Sequence, residues 1–547
     1  MEGLLQQQLT KITTLIRGEL LTDAMSREAA AVDGSIFTQK PQAVLYPRDA
    51  GDIQAVVHYL YTQAMLGNPV PSLTPRGRGS DQAGGPLGDG IILDTTRYLH
   101  QILEIGRDFV RVQPGCRYGD LQKVLKQSGR YLPPYPASIE ICTIGGAVAN
   151  NSSGEKTVKY GDTRDYVTAL KVVVASGDEI EVRSLSRLER EAKKHHHSFE
   201  GHLYREIDKL LALHSPAEVR PSFHVTKNAT GYALWQLEER GELDLCKLFV
   251  GSQGTLGVIT EITLRTMPHP AAYSLVAGYF SSIDRAAQAT TELLALGPSA
   301  LEVVDRNLLE LVEESQPGHL AGLLPTPLPQ VVLLVEFDDA DAHTRKGKQA
   351  AAETILEKYA YQQRAAVTPA EQEELWQLRR SAAAVLWTVD SPQKALPIVE
   401  DGVVPPQKLP EFFTKAYALF HKYDLRIAVW GHAGDANLHM QPFMNLADPV
   451  DRAKIWPFVE EFHALIIAMG GCISAEHNDG LLRSPYLQAQ YGDELYALFR
   501  IIKRTFDPYR YLNPGKKVDV SLDKVKTMLR SSYSLEHLID DREQINR

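Results

Sequence analysis

Three glycine-rich loops constrain the fold of this chain more than any other feature. They lie at residues 76–85, 143–154 and 251–260, each next to a run of β-branched residues that is typical of a strand. Glycine lets the backbone approach a phosphate closely, and successive N–H groups can bind an anion. Three such loops beside strands suit a long ligand that lies between sheets and carries a pyrophosphate.

The loops do not match the two commonest nucleotide-binding motifs. A Rossmann fingerprint that begins at Gly77 and Gly79 needs its third glycine where Gln82 stands. A Walker A loop needs a lysine after Gly154, and the chain has Glu155 there. Neither a Rossmann domain nor a P-loop domain therefore accounts for the pattern.

Composition excludes several classes of protein. The chain has 547 residues, a formal net charge of −10 and 23% charged residues, which is typical of a globular protein. The acidic balance argues against nucleic acid as a partner, because phosphate binding needs a basic surface. A signal peptide and an apolar run long enough for a transmembrane segment are both absent from the sequence. We expect a cytoplasmic protein; peripheral membrane association and a homodimer are left open.

The cysteines bear on the redox chemistry. They stand far apart at Cys116, Cys142, Cys246 and Cys472, without a CxxC unit. An iron–sulfur cluster held by this chain alone is therefore disfavoured, as is a disulfide scaffold. If electrons leave through iron–sulfur centres, we expect a separate subunit to carry them.

Periodicity and composition divide the chain into four parts. Residues 1–40 are predicted to be helical, and residues 41–267 form an α+β domain that ends in a hairpin-like pattern at residues 248–265. A proline-rich linker follows. Alternating strand and helix patterns predict a second α+β domain over residues 271–516, and residues 517–547 are predicted to be a helical tail.

A group of histidines and a carboxylate forms the second chemical signal. His432 and His439 flank a glycine-containing loop, and Glu476 stands beside His477 after a Gly-Gly turn. Two imidazoles and a carboxylate suit a divalent metal with open positions, zinc or manganese, which would polarise a substrate hydroxyl. A neighbouring imidazole could accept the hydroxyl proton. A role for these residues in hydrogen bonding within the core remains the alternative.

The three loops together resemble the FAD-binding domain of the vanillyl-alcohol oxidase/PCMH flavoprotein superfamily. The sequence contains PRGRGSDQAGG, TIGGAVANNSSGEKTVKYGDTRD and GSQGTLGVIT in the order and spacing of that superfamily, over about residues 40–267. The resemblance implies a PCMH-type domain of two subdomains that binds FAD. The first loop lacks the histidine or cysteine to which some relatives attach FAD, so we expect non-covalent FAD. The implied cofactor-binding residues are Arg76, Gly77, Arg78, Gly79, Ser80, Asp81, Pro136, Ser138, Thr143, Gly145, Gly146, Asn150, Ser153, Gly154, Gly254, Thr255, Gly257, Val258, Ile259 and Asn513.

The C-terminal half resembles the FAD-linked D-2-hydroxy-acid dehydrogenases, which act on D-lactate, D-2-hydroxyglutarate or glycolate. The matching segments are GHAGDANLH, GGCISAEHNDG and FDPYRYLNPGK. The resemblance implies an α+β cap of the ferredoxin-like, FAD-linked oxidase C-terminal type. It also implies that His432, His439 and Glu476 bind the metal and that His477 is the base. Ala436, Ala475 and Asn478 replace glycines of the family pattern.

Two further residues are implied to contact the substrate. ELWQLRRSAA resembles the W-x-x-R element of the family and makes Arg379 the candidate for binding the substrate carboxylate bidentately. Lys394 is expected to reach the same site. The predicted function is FAD-dependent oxidation of a D-2-hydroxy acid to the 2-oxo acid, with electrons passed to a separate acceptor. Alternatives are an oxidase of another alcohol, such as an alditol or aldonolactone, and a flavin-binding subunit without catalysis.

Overall fold

A computed structural model describes residues 2–388 and 391–538. The first half of the chain alternates short strands with helices. Its strands are β1 (Glu19–Leu21), β2 (Ala43–Tyr46), β3 (Leu73–Arg76), β4 (Ile91–Asp94), β5 (Ile102–Ile105), β6 (Phe109–Val112), β7 (Arg130–Tyr131), β8 (Val167–Val173), β9 (Glu179–Leu185), β10 (Glu238–Glu239), β11 (Glu242–Asp244), β12 (Val258–Arg265) and β13 (Met267–Pro268). Its helices are α1 (Glu2–Thr13), α2 (Ala24–Ala29), α3 (Ala50–Met65), α4 (Tyr118–Gln127), α5 (Ile144–Asn150), α6 (Thr157–Tyr160), α7 (Arg187–His195), α8 (Phe199–Leu213) and α9 (Cys246–Phe249).

These strands form two main sheets, one for each subdomain. The first has the order β1-β2-β4-β3, with β2 and β3 parallel to β4. The second has seven antiparallel strands in the order β10-β11-β9-β8-β12-β6-β5. Because β1 pairs with β2, the segment predicted to be helical at residues 1–40 also contributes a strand.

The predicted hairpin at residues 248–265 is wrong. The chain forms the short helix α9, turns through Gly251, Gln253 and Gly254 at positive φ, and continues as the single strand β12. The partners of β12 are β8 and β6, which come from earlier in the chain. The apolar run before the turn packs in the core of this domain, and its local pattern does not distinguish a helix from a strand.

The second half of the chain folds around one sheet. Its strands are β14 (Ser274–Phe280), β15 (Ala300–Asp305), β16 (Val331–Phe337), β17 (Gln362–Ala366), β18 (Lys394–Ala395), β19 (Gly402–Val403), β20 (Ile427–His432) and β21 (Asn437–Met444). Its helices are α10 (Ile283–Leu294), α11 (Arg306–Ser315), α12 (Ala342–Tyr359), α13 (Pro369–Thr388), α14 (Leu409–Lys422), α15 (Pro449–Ala468), α16 (Gly480–Arg483), α17 (Leu487–Phe506) and α18 (Leu522–Lys526).

The sheet of the second half is antiparallel, and helices cover both of its faces. Its main path is β17-β14-β16-β15-β20-β21-β18, and β19 pairs with β21. Helices α10, α12, α14 and α15 supply apolar residues to one core cluster, and α11 and α13 supply another. This burial on both sides explains why β14, β15 and β16 are buried along their whole length. We call this half the cap.

The end of the cap returns to the first half. Residues of α17, such as Phe499 and Phe506, join the core of the seven-stranded sheet. Leu512 forms a parallel bridge with Leu73 of β3. Ion pairs also join the halves, including Lys159 Nζ to Asp338 Oδ1 at 2.5 Å. In the part of the chain that the structure describes, no helix is both long and apolar enough to cross a membrane.

Candidate active site

A cavity of about 720 Å³ lies between the first half of the chain and the cap. Its volume falls in the usual range for small-molecule and cofactor sites, which is about 300–1,000 Å³. All three glycine-rich loops line one part of it, and Arg379, Trp430 and the histidine motifs line another. One continuous space therefore joins the loops to the histidines, as a cofactor beside a substrate requires.

The structure brings most of the predicted cofactor-binding residues into the wall of this cavity. They are Arg76, Gly77, Arg78, Gly79, Ser80, Asp81, Pro136, Ser138, Thr143, Gly145, Gly146, Asn150, Ser153, Gly254, Gly257 and Ile259. Cys142 lines the cavity as well, although the sequence did not predict it to be a cofactor-binding residue. Burial raises the pKa of the Cys142 thiol to about 12.

Close approach of the loops explains two of the glycines. A Cβ atom on Gly77 would lie 2.3 Å from the Thr143 Oγ1 atom, which caps helix α5 by accepting from the Gly146 N–H. A Cβ atom on Gly154 would lie 2.0 Å from the Tyr135 carbonyl oxygen. Side chains at these positions would separate the loops, so the absence of a Cβ lets them line one cavity.

Five predicted residues lie outside the cavity wall. Thr255 donates to the Ser252 carbonyl and pairs with the Tyr232 hydroxyl, and Val258 packs in the core of the four-stranded sheet. Asn513 donates to the carbonyls of Gly85 and Gln253, so it joins the first and third loops from behind. Lys394 pairs with Met444 at the sheet edge, and Gly154 sits against Tyr135. The contacts of Thr255, Gly154 and Asn513 shape the loops.

The β20–β21 hairpin positions two of the histidines. His432 ends β20, and His439 lies on the facing strand β21, two pairs further from the turn. Ala436 completes the turn at φ 52°, and Asn478 in the loop after β21 and α15 has φ 69°. Asn478 donates to the carbonyls of Gly251 and Asn150. Ala436 and Asn478 thus both adopt a left-handed conformation, which glycine favours, although each of them replaces a glycine of the family pattern.

Three imidazoles converge on one carboxylate oxygen. The Nε2 atoms of His432, His439 and His477 lie 3.2, 3.4 and 3.8 Å from Glu476 Oε1. Each Nδ1 has a separate acceptor. The Nδ1 atom of His439 donates to the Glu400 carbonyl at 2.9 Å, and those of His432 and His477 lie 2.8 Å from carboxylates of Glu302 and Glu400.

This arrangement fits a cation. With Nδ1 as the donor, each neutral imidazole presents the Nε2 lone pair to the Glu476 oxygen, so acceptors face one another without a shared proton. Metal-binding histidines typically donate their other ring N–H to a carboxylate or carbonyl, as these do. The residues predicted to bind metal, His432, His439 and Glu476, thus form a suitable donor set.

The other Glu476 oxygen is held by two donors from the first half of the chain. Lys227 Nζ lies 2.9 Å from Glu476 Oε2, and the Ser153 hydroxyl donates to the same atom at 2.8 Å. Both donors are buried. Together they turn Oε1 towards the imidazoles. Ser153, predicted to bind FAD, therefore also orients the carboxylate.

The charges of this buried cluster favour a divalent cation. Its carboxylates are Glu302, Glu400, Asp401, Asp435 and Glu476, and its cationic side chains are Lys227, Arg379 and Arg483. Five carboxylates against three cations leave a formal charge of −2 when the imidazoles are neutral. Burial lowers the pKa of His432 and His477, but the neighbouring carboxylates outweigh it and raise each pKa to about 9. A proton on each of these two rings would balance the charge of −2, and a divalent cation would take the place of those protons.

Asp401 is close enough to be another ligand. Ligand atoms of Asp401, His439, Glu476 and His477 lie within 4.8 Å of one another. Asp401 Oδ2, however, already accepts from the backbone N–H groups of Glu476 and His477, at 3.0 and 2.7 Å. We assign Asp401 to shaping this loop.

Glu400 and His439 fix the orientation of His477, the residue predicted to be the base. Glu400 Oε1 contacts the His477 Nδ1 atom and also Arg483 Nη2, at 2.8 and 2.7 Å. Arg483 outweighs burial and lowers the pKa of Glu400. The imidazole of His477 stacks on that of His439, with ring centroids 5.1 Å apart. Its Nε2 atom faces the cavity beside the residues that are predicted to bind the metal.

The two adjacent arginines of α13 differ. The Arg379 side chain is 5% exposed, lines the cavity and donates from Nε to Glu302 Oε2 at 2.9 Å. The Arg380 side chain is 54% exposed and pairs with Glu373, which is also on the surface. Arg380 also lines the cavity, but Arg379 is the more deeply buried of the two, and its contact with Glu302 holds it there.

Comparisons with known proteins identify the two domains of the chain. Residues 41–183 match the family "FAD binding domain", and residues 269–517 match "FAD linked oxidases, C-terminal domain". The glycolate oxidase subunit GlcD of Bacillus subtilis (strain 168) is 30% identical over 487 residues, which cover 88% of this chain and 89% of that protein. The chain belongs to the FAD-linked oxidases. The FAD-binding domain and the oxidase cap predicted from the sequence are confirmed.

Other FAD-linked oxidases are similar over much of this chain. D-2-hydroxyglutarate dehydrogenase of Pantoea ananatis (strain AJ13355) is 29% identical over 99% of the chain, and that of Escherichia coli (strain K12) is 28% identical over 96%. The chain spans about half the length of these two relatives, 55% and 53%.

Solved structures share the fold. p-Cresol methylhydroxylase with substrate bound has a TM-score of 0.69 at 14% identity and covers 95% of this chain and 97% of its own. The 4-ethylphenol oxidase of Gulosibacter chungangensis has a TM-score of 0.68 at 15% identity, over 95% and 98% of the two chains.

Several residues of this FAD-linked oxidase were missed in the sequence. Lys227, Glu302, Glu400 and Arg483 all contact predicted site residues, yet none of them was predicted to belong to the site. Glu302 and Glu400 carried a usable signal, because each interrupts an apolar run. A carboxylate in a segment that will be buried needs a partner.

Proposed function

We propose that this chain catalyses the FAD-dependent oxidation of a D-2-hydroxy acid to the corresponding 2-oxo acid. The observation that carries the proposal is the convergence of three imidazoles and a carboxylate on one point of the cavity that the glycine-rich loops line. A buried arginine opens into the same cavity. The names of the relatives, D-2-hydroxyglutarate dehydrogenase and glycolate oxidase subunit, point to the same class of substrate.

Each side chain of the site has a role in this reaction. Arg379 binds the substrate carboxylate through its terminal N–H groups and holds the α-carbon in place. His432, His439 and Glu476 hold a divalent metal, zinc or manganese, which polarises the substrate hydroxyl when it is bound. His477 Nε2 accepts the hydroxyl proton, and Glu400 keeps the imidazole in orientation.

Electrons and protons balance as follows. The substrate loses the hydroxyl proton to His477 and a hydride from its α-carbon, and the C–O single bond becomes the carbonyl of the 2-oxo acid. FAD supplies the hydride acceptor at flavin N5. Residues of the first and second loops hold this cofactor without a covalent bond. The raised pKa of Cys142 supports that view, because a thiol that stays protonated is a poor nucleophile.

Electrons taken up by bound FAD would leave to a separate acceptor. The four cysteines of the described structure are free and buried. We propose an iron–sulfur subunit as the partner. Glycolate oxidase GlcD, by its name, is itself a subunit.

Anaerobic titration of the purified flavoprotein tests the proposal. The protein is mixed with a panel of D- and L-2-hydroxy acids, with and without added Zn²⁺ or Mn²⁺, and flavin absorbance is followed. We expect D-2-hydroxy acids to bleach the flavin and their L-enantiomers to leave it oxidised. If no acid reduces the flavin in either metal condition, the proposed activity is wrong.

A further inference from the structure

One buried carboxylate connects the two groups that hold the substrate. Glu302 lies on β15 and is fully shielded from solvent. Its Oε1 atom lies 2.8 Å from His432 Nδ1, and its Oε2 atom accepts from Arg379 Nε at 2.9 Å. Arg379 comes from α13 and His432 from the end of β20, so Glu302 joins two separate elements at the cavity.

Each contact fixes the orientation of its partner. A proton on His432 Nδ1 that points to Glu302 leaves the Nε2 lone pair facing Glu476 Oε1. Because Glu302 engages the Nε–H group of Arg379, the two terminal nitrogens of the guanidinium are left to clamp a carboxylate side by side. The two oxygens of one rigid carboxylate group thus set the position of both partners.

We propose that Glu302 is a positioning residue that fixes the spacing between the carboxylate-binding arginine and the metal-binding histidine, and thereby selects acids whose hydroxyl is on the carbon next to the carboxylate. The inference rests on the proposed function. A 3-hydroxy acid separates the two groups by one more carbon and cannot reach both anchors in the same pose.

The surroundings of Glu302 make this spacing stiff. Strand β15 is central in the cap sheet, and it pairs with β16 on one side and with β20 on the other. The β15–β20 pairing joins Val303 to Gly431, the neighbours of Glu302 and His432. A pair that only neutralised Arg379 would need one oxygen of Glu302. Here both oxygens are used, and both partners line the cavity.

Three substitutions separate this role from simple burial of a charge. Glu302→Gln keeps the shape but can accept from only one of the two donors, since its amide nitrogen is itself a donor. Glu302→Asp keeps the charge but draws the carboxylate back by one methylene. Glu336→Gln is the matched control: Glu336 is a buried carboxylate on the adjacent strand β16 whose partners are Lys156 and Ser299.

The measurements are made on FAD-loaded protein with unchanged far-UV circular dichroism. Zn²⁺ affinity is obtained by competition with a chelating dye, and pyruvate affinity from the change in the flavin spectrum. For Glu302→Gln we expect Zn²⁺ affinity to fall by about 10–100-fold, as for other residues that orient metal ligands, together with weaker pyruvate binding. Arg379→Lys should weaken pyruvate binding and leave Zn²⁺ affinity unchanged. Glu336→Gln should leave both unchanged.

Substrate selectivity gives an independent readout. For Glu302→Asp we expect the ratio of kcat/KM for D-lactate to that for D-3-hydroxybutyrate to fall, by up to about 100-fold, because a displacement near 1 Å costs that much at a reacting centre. The proposal is overturned if Glu302→Gln binds Zn²⁺ and pyruvate like the wild type, or if Glu302→Asp keeps the wild-type selectivity. A wild type that no 2-hydroxy acid reduces would instead refute the proposed function, and the Zn²⁺ arm would still report on Glu302.

Discussion

Lys227 Nζ lies 2.9 Å from Glu476 Oε2, across the interface between the first half of the chain and the cap. Both side chains are buried, and Lys227 is also 3.3 Å from Asn437 Oδ1. Burial lowers the pKa of Lys227, but the charge of Glu476 outweighs it and raises the pKa overall. The first half of the chain therefore supplies the charge that holds a carboxylate of the cap for which we propose a role in metal binding.

Removal of this lysine should destabilise the protein and increase its response to metal. Lys227→Met leaves the Glu476 carboxylate buried without its cation, and breaking a buried pair in this way costs about 3–5 kcal/mol. The cluster also becomes more negative, so a divalent cation should restore part of the lost stability. Melting temperature measured with and without Zn²⁺ checks both effects.

Lys171→Met is the control for this experiment. Lys171 pairs with Glu261 at the same distance of 2.9 Å, but both side chains are partly exposed. An exposed pair contributes about 0–1 kcal/mol, so the control should melt close to the wild type and should not respond differently to Zn²⁺. Equal melting temperatures for the two variants would contradict a special role for Lys227.

Substitution of His477 should lower the rate of flavin reduction and leave the cofactor bound. His477→Gln removes the proton acceptor, and loss of a general base lowers the rate by about 10²–10⁴-fold. Rapid mixing of the FAD-loaded variant with a D-2-hydroxy acid measures the rate of flavin reduction. The flavin content and spectrum should match those of the wild type, because the residues that we propose to hold FAD are elsewhere. Reduction at the wild-type rate would exclude His477 as the base.

Gly77 tests the contact between the first two loops. A methyl group at this position would overlap Thr143 Oγ1, which caps α5. We expect Gly77→Ala to be purified with less FAD, measured as the ratio of flavin to protein absorbance. Gly347→Ala is the control, since Gly347 lies in α12 with open space around its Cβ position. Full FAD content in Gly77→Ala would show that the loops tolerate a wider separation.

The sequence predicts the parts of the site that are contiguous in the chain. The three loops and the His432, His439 and Glu476-His477 motifs each carry their pattern within a few residues, so their chemistry is visible before the fold is known. Glu302 and Lys227 are single charged residues in segments without such a pattern. Sheet pairing brings Glu302 to His432, and the interface between the halves brings Lys227 to Glu476.

The errors in the fold have a similar cause. The run before Gly251 is apolar and short, so only its packing in the core makes it the helix α9. The strand β1 has three residues and is fixed by pairing with β2, which local periodicity does not show. Longer segments such as α12, α15 and β16, in contrast, form the type of element that their length and composition predict.

Asp305 should make the stability of the cap depend on pH. It is buried at the start of α11, where it accepts from the backbone N–H groups of Leu308 and Val429. Burial raises the pKa of this carboxyl to about 7, well above the value of about 3.9 expected in the unfolded chain. Between these two values the folded protein holds a proton that the unfolded chain has released. The Asp305 carboxyl therefore makes its full contribution to the stability of the folded protein below about pH 4, and this contribution is lost as the pH rises towards 7.

Asp305→Asn keeps the helix cap and removes the titration. As the pH rises from 4 to 7, we expect the free energy of unfolding of the variant to increase relative to that of the wild type, by at most about 1.4 kcal/mol per pH unit. Above pH 7 the difference should stay constant. The melting temperatures of the two proteins should show the same trend. Asp341→Asn, at the exposed start of α12, provides the opposite case. Hydrogen bonds from Thr344 lower the pKa of Asp341. The stability of this variant should therefore fall relative to that of the wild type as the Asp341 carboxyl of the wild type ionises. A constant difference between Asp305→Asn and the wild type from pH 4 to pH 8 would mean that the Asp305 carboxyl titrates normally in the folded protein.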